Sequence, residues 1–288
     1  MTDSSSFPRL LLMDNGSLRP EAVLALRQLA GALSERLGRG VMPVSLSHVD
    51  RIEAQRLDGE PAQTLDQAIA QRLRAGDRRF LILPLFFGRS RALTEVLPQR
   101  MEDLKREGRD FEYAVADPVG PLDDEDDDHA MTRLMTEQAR LTALQAGLAE
   151  PRICLVDHGS PSPQVTAVRH RLAARLAETL GQMPGEAAME RRGGSEYDFN
   201  GPLLAEWIEE QAERGATEIL LLLMFFLPGR HAGAGGDIES ILHTAMQRYP
   251  QLRIAASPLV AEHPLLLEIL LQRLRDAVAR FKLAGFDS

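Results

Sequence analysis

Short apolar runs, each stopped by a turn signal, alternate along the chain with stretches of helical period. Residues 10–13, 42–46, 79–83 and 112–116 have the first character and predict strands. Residues 20–37, 64–75, 94–107 and 130–148 have the second and predict helices. The order then restarts: strands are expected over 153–157, 186–190, 218–224 and 252–256, and helices over 165–180, 203–214, 237–248 and 265–281. Runs that are apolar throughout, rather than alternating, suit strands covered on both faces of a parallel sheet. Pro20 stands where a first helical turn accepts proline, and Gly38 and Gly181 stand where helices stop.

The two halves carry the same landmarks in the same order. Gly16-Ser17 answers to Gly159-Ser160, Gly38 to Gly181, Gly76 to Gly215, Gly88-Arg89 to Gly229-Arg230, and Asp117-Pro118 to Ser257-Pro258. The offsets all lie between 139 and 143 residues. So small a drift points to duplication of one β-α-β-α-β-α-β-α unit. The expected fold class is α/β, with two similar domains over residues 1–150 and 151–288, each a small parallel sheet flanked by helices. The boundary is expected near Glu150-Pro151.

Composition narrows the function classes. A chain of 288 residues can form two ordinary cores. No apolar run approaches the ~20 residues that span a bilayer. The first residues lack a basic segment followed by an apolar one, so a cytoplasmic, membrane-free protein is expected. Acidic residues exceed basic ones by nine, which argues against nucleic acid or an anionic membrane as partner. Part of the excess is the run Asp123 to Asp128, read as a solvated, self-repelling loop. The single cysteine, Cys154, falls inside a predicted strand and reads as a core residue, not a nucleophile.

Chemistry is expected at the carboxyl ends of the strands. In small parallel sheets the first and third strands are often neighbours and the second lies outside the first. In the second half, that order gathers His158 after the first strand, Glu190 after the second and His231 after the third. Two imidazoles and a carboxylate suit iron, cobalt, nickel or zinc, and the same groups can accept protons near neutral pH. Two other motifs are weaker. Gly233-Ala234-Gly235-Gly236 before a helix could cradle a phosphate, but no Lys-Ser/Thr follows. His158-Gly159-Ser160 lacks the Gly-x-Ser-x-Gly elbow of a serine hydrolase.

Taken together, His-Gly-Ser, then Glu, then Gly-Arg-His with a glycine-rich turn and Asp-Ile, and finally His263-Pro264-Leu265, resemble the class II tetrapyrrole chelatases of the sirohydrochlorin cobalt/iron type. That resemblance implies insertion of Co²⁺ or Fe²⁺, with Ni²⁺ a third candidate, into a sirohydrochlorin-type macrocycle without a nucleotide, in cobalamin or siroheme synthesis. It implies that His158, His231 and Glu190 bind the metal and take up the pyrrole protons. Ser160, Arg191, Arg230, Arg89 and Arg91 are the substrate-binding candidates, the arginines because a polycarboxylate ligand needs cationic partners. The first half departs from the pattern: Asn15 stands for His158, Ser90 for His231, and Ser47 or His48 for Glu190. It reads as a degenerate copy, and the assembly as a monomer or homodimer. The competing class is a carrier that binds metal or tetrapyrrole without turnover.

Overall fold

The computed structural model describes residues 7–121 and 129–281, so the acidic run at 123–128 lies outside the described residues. The first sheet contains β1 (Arg9–Asp14), β2 (Val41–Ser45), β3 (Arg79–Pro84) and β4 (Glu112–Val115), in the order β2-β1-β3-β4. The second contains β5 (Arg152–Asp157), β6 (Gly185–Ala188), β7 (Glu218–Leu223) and β8 (Arg253–Ala256), in the order β6-β5-β7-β8. Every pairing is parallel. The predicted α/β class and strand order are what the structure shows. Residues 11–13 of β1 and 154–156 of β5 have almost no exposure, which explains their uninterrupted apolar character.

Helices α1 (Pro20–Leu37), α2 (Leu65–Arg74), α3 (Leu97–Arg106) and α4 (Ala130–Ala146) are followed by α5 (Pro163–Leu180), α6 (Leu204–Glu213), α7 (Asp237–Arg248) and α8 (Leu265–Arg280). Two expectations shift. The helix predicted over 94–107 opens with a π-helical turn, Ala92–Val96, before α3 continues through Pro98. The strand predicted over 186–190 ends at Ala188, so Glu190 belongs to the loop that follows.

Sequence repeat and compact unit do not coincide. One unit comprises residues 1–119 with 267–288, the other residues 120–266. The division expected at Glu150-Pro151 follows the repeat, whereas packing assigns α4 to the second unit and most of α8 to the first. The α4 helix, expected to close the first half, instead lies against α5 and β7. The Thr136 and Thr179 hydroxyls meet at 2.8 Å, and Gln138 donates to the Pro258 carbonyl at 3.2 Å. In the first unit, buried Arg273 of α8 donates through Nε to the Pro118 carbonyl at 2.8 Å.

Asp14 ends β1 with its carboxyl buried. Burial raises its pKa from an ordinary 3.8 to about 6, against weaker opposing bonds from Ser45 and the Gly16 N–H. Its Oδ1 has no hydrogen-bond partner. The folded state therefore holds a proton between pH 3.8 and about 6 that the unfolded chain has released. The stability linked to this group is fully present below the lower value and is lost as pH rises through the upper one. Asp14→Asn should remove that loss. Its stability advantage over the wild type, from denaturant midpoints at pH 4.5 to 7.5, should grow with pH and level off at roughly 2–3 kcal/mol.

Candidate metal centre

Order reverses in the second sheet between β5 and β7, because the connections leaving these neighbours run to opposite sides. His158 leaves β5 at this point and His231 follows β7. Glu190 reaches the same edge from β6 through two backbone bonds: the Met189 N–H donates to the Asp157 carbonyl at 2.9 Å and the Glu190 N–H to the His158 carbonyl at 3.0 Å. That close approach requires Gly159, whose φ is +86° and where a Cβ would fall 1.9 Å from the Glu190 carbonyl oxygen.

The three side chains converge. One ligand atom from each of His158, Glu190 and His231 lies within 4.8 Å of the others. The imidazoles meet edge to face with centroids 4.8 Å apart. A first-row metal sits about 2.0–2.2 Å from each such ligand, so two ligand atoms can be at most about 4.4 Å apart. A side-chain adjustment of well under 1 Å closes the difference. His158 and Glu190 are exposed and His231 is buried. The site is thus open on one side and anchored on the other.

His231 is the most constrained member. Its Nδ1 lies 2.8 Å from Asp237 Oδ2 at the start of α7. A carboxylate there fixes Nδ1 as the protonated nitrogen and leaves Nε2 with its lone pair. That Nε2 is buried and makes no hydrogen bond, although Glu190 Oε1 is 3.4 Å away. A buried nitrogen without a partner is costly, and a lone pair aimed at a carboxylate and a second imidazole fits a metal or a proton. The glycine-rich turn serves this packing. A Cβ on Gly236 would fall 2.6 Å from the His231 carbonyl oxygen. The Asp237 and Ile238 N–H groups donate to the carbonyls of Arg230 and His231, so they are not free to cradle a phosphate.

Beneath His158 lies a buried ionic network that sequence reading missed. Arg169 of α5 has no exposure. Its guanidinium reaches Asp157 Oδ1 at 2.5 Å, Glu186 Oε2 at 3.0 Å, and the carbonyls of Ala187 and Asn200 at 3.1 and 2.6 Å. Asp157 Oδ1 also accepts from the Gly159 N–H at 2.9 Å. Burial pushes the Asp157 carboxyl up, and the Arg169 charge opposes that rise. Asn200, also buried, accepts from the Ser160 N–H and donates to the Ser160 carbonyl, both at 2.9 Å. The only sequence signal was an arginine on the apolar face of α5. The Cys154 thiol in β5 is held neutral by burial, as a core residue.

The remaining predicted residues have separate surroundings. The Ser160 hydroxyl accepts from the Ser162 N–H at 3.0 Å and shapes the entry to α5. Arg191 donates to the Gly201 carbonyl at 3.1 Å. Arg230 joins the cluster of His158, Glu190 and His231, 3.0 Å from Glu190 Oε1. Arg89 and Arg91 belong to the first unit, paired with Asp117 at 3.0 Å and Glu95 at 2.8 Å. In that unit Gly16 is the counterpart of Gly159: its Cβ would fall 1.8 Å from the Ser47 carbonyl oxygen. The residue opposite Glu190 is therefore Ser47, and His48 stands opposite Arg191.

The CbiX family model matches residues 9–125 and again 152–277. The chain belongs to the CbiX family. The resemblance read from the second-half motifs is borne out, and the two matched segments follow the sequence repeat. Among solved structures, the fold is similar to SirB from Bacillus subtilis with Fe³⁺, at a TM-score of 0.70 and 15% identity. That match covers 98% of this chain and all of the other. It is also similar to the sirohydrochlorin chelatase SirB from Bacillus subtilis subspecies spizizenii in complex with cobalt, at 0.65 and 14%, with the same coverage. No curated protein matches the chain in sequence. Among the described residues, no helix is long and apolar enough to cross a membrane.

Arg169→Leu should destabilise the protein by roughly 3–5 kcal/mol, because it strands the buried Asp157 carboxylate and leaves Glu186 with His170 as its remaining ion-pair partner. The added change Asp157→Asn should recover part of that loss. Chemical denaturation of both variants checks this.

Proposed function

We propose that this CbiX-family chain inserts a divalent metal, Co²⁺ or Fe²⁺, into a sirohydrochlorin-type tetrapyrrole without nucleotide hydrolysis. The metal and the macrocycle are both substrates. The observation that carries the reading is the convergence of His158, Glu190 and His231, with the His231 Nε2 lone pair buried, unpaired and held in place by Asp237. The cobalt-bound SirB structure is named a sirohydrochlorin chelatase and the other SirB structure holds Fe³⁺, which supports the same class.

Metal insertion displaces two pyrrole N–H protons for each ion that enters, so acceptors must stand beside the ion. Neutral imidazole can serve either as ligand or as proton acceptor, and two imidazoles allow one to bind while the other takes a proton. Exposed His158 would meet the incoming ion first. Buried His231 would hold it, with Glu190 supplying negative charge that offsets the ion's own. The oxygen and nitrogen donor set accepts both Co²⁺ and Fe²⁺. Ser160, Arg191 and Arg230 border this edge of the second sheet as candidates for the macrocycle's carboxylates. The chemistry uses only water-borne substrates, in keeping with a cytoplasmic enzyme of siroheme or cobalamin synthesis.

Anaerobic protein mixed with sirohydrochlorin and either metal should change the macrocycle's absorbance faster than the protein-free mixture. His158→Ala and His231→Ala should each abolish the gain, while Asn15→Ala in the first unit should keep it. Saturation at one equivalent with no gain in rate for either metal would show a carrier instead.

Asp237→Asn should lower Co²⁺ affinity or metallation rate by about 10–100-fold, as expected when a carboxylate orienting a ligand histidine is lost. Unchanged affinity and rate in that variant would remove Asp237 from the mechanism.

A further inference from the structure

Arg230 is placed as a competitor of the incoming metal. Its Nη1 lies 3.0 Å from Glu190 Oε1 and its Nε 3.5 Å from Asp237 Oδ2. The first contact engages the carboxylate oxygen that also lies 3.4 Å from His231 Nε2. The second engages the oxygen that holds His231 Nδ1 at 2.8 Å. One guanidinium thus spans both carboxylates of the cluster. The side chain is nevertheless about three-quarters exposed, and these two ion pairs are what it makes with the cluster.

We propose that Arg230 is an internal counter-ion that divalent metal must displace from Glu190, and that it thereby weakens metal binding at this site. The inference rests on the metal-site reading above. Two carboxylates facing one cation leave the cluster one negative charge in excess, counting the histidines as neutral. Entry of a divalent ion with Arg230 still in place would leave one positive charge in excess. Entry with Arg230 swung into solvent balances the two carboxylates with the metal alone. Exposed ion pairs of this kind are weak, so the displacement lowers metal affinity by a modest, constant factor. Arginine suits the role better than lysine because its fork can reach two carboxylates at once.

Co²⁺ alone, titrated calorimetrically into the metal-free full-length protein, tests this. Arg230→Ala should bind Co²⁺ about three- to tenfold more tightly than the wild type, the range set by the loss of a weak exposed ion pair that competes for Glu190. Arg230→Lys should fall between them. In a Glu190→Gln background, adding Arg230→Ala should change affinity by less than about twofold, since the carboxylate for which the two cations compete is gone. Thermal melting of each variant confirms that an exposed side chain was removed without unfolding. Affinity unchanged or weakened in Arg230→Ala, with wild-type binding still dependent on His158 and His231, would overturn the competitor role alone. Absence of Co²⁺ binding, or binding indifferent to both histidines, would overturn the metal-site reading and this proposal with it.

Discussion

A guanidinium sealed from water must be met on all sides by acceptors, and in the second unit that demand shapes everything above it. Arg169 draws together the end of β5 through Asp157, strand β6 through Glu186 and Ala187, and the loop before α6 through Asn200. Asp157 then takes the Gly159 N–H, and Asn200 takes both backbone groups of Ser160. The turn that carries His158 is pinned from below at two successive residues. Such an ionic knot adds little net stability compared with an apolar core. Its value lies in fixing where one imidazole starts, within the sub-ångström tolerance that a shared ligand site imposes.

The two copies show what happens without it. Helices α1 and α5 begin at Pro20 and Pro163, and the residue six places on is Leu26 in one and Arg169 in the other. Asp14, the counterpart of Asp157, is left with an unpaired oxygen and a raised pKa. Backbone shape survives: Gly16 still lets the turn approach Ser47 as Gly159 approaches Glu190. The donors do not. Asn15, Ser47 and Ser90 replace two imidazoles and a carboxylate, and the Ser90 hydroxyl is itself buried without a partner. The first unit has kept the mould and lost the ligands.

Most of the fold was legible because strands buried on both faces leave unbroken apolar runs and helix ends leave glycines. The repeat was legible for the same reason, since turns that demand glycine are hard to change. His158, Glu190 and His231 could be singled out because each lies in a segment leaving a strand end on one edge: at once after β5, two residues after β6, and in the loop after β7. What lay hidden depended on contacts distant in sequence. Arg169 looks like any helical arginine until Glu186 and Asn200 are brought around it. Asp237 reads as an ordinary first-turn acid until His231 turns toward it. Whether Ser47 or His48 matched Glu190 could not be decided by counting, because a one-residue gap changes the answer; the glycine-to-carbonyl approach decides it. The assignment of α4 and α8 was equally out of reach, since either helix presents an apolar face that could cover either sheet.

That last arrangement matters for how the molecule comes into being. A ribosome delivers the first sheet early, yet most of the helix that belongs to its unit, α8, is made only after the whole of the second unit. The second unit, bounded by residues 120 and 266, has all of its parts in hand sooner. Continuity in sequence thus favours the unit that is made second. The half that carries His158, Glu190 and His231 can consolidate first, while the other half waits for α8.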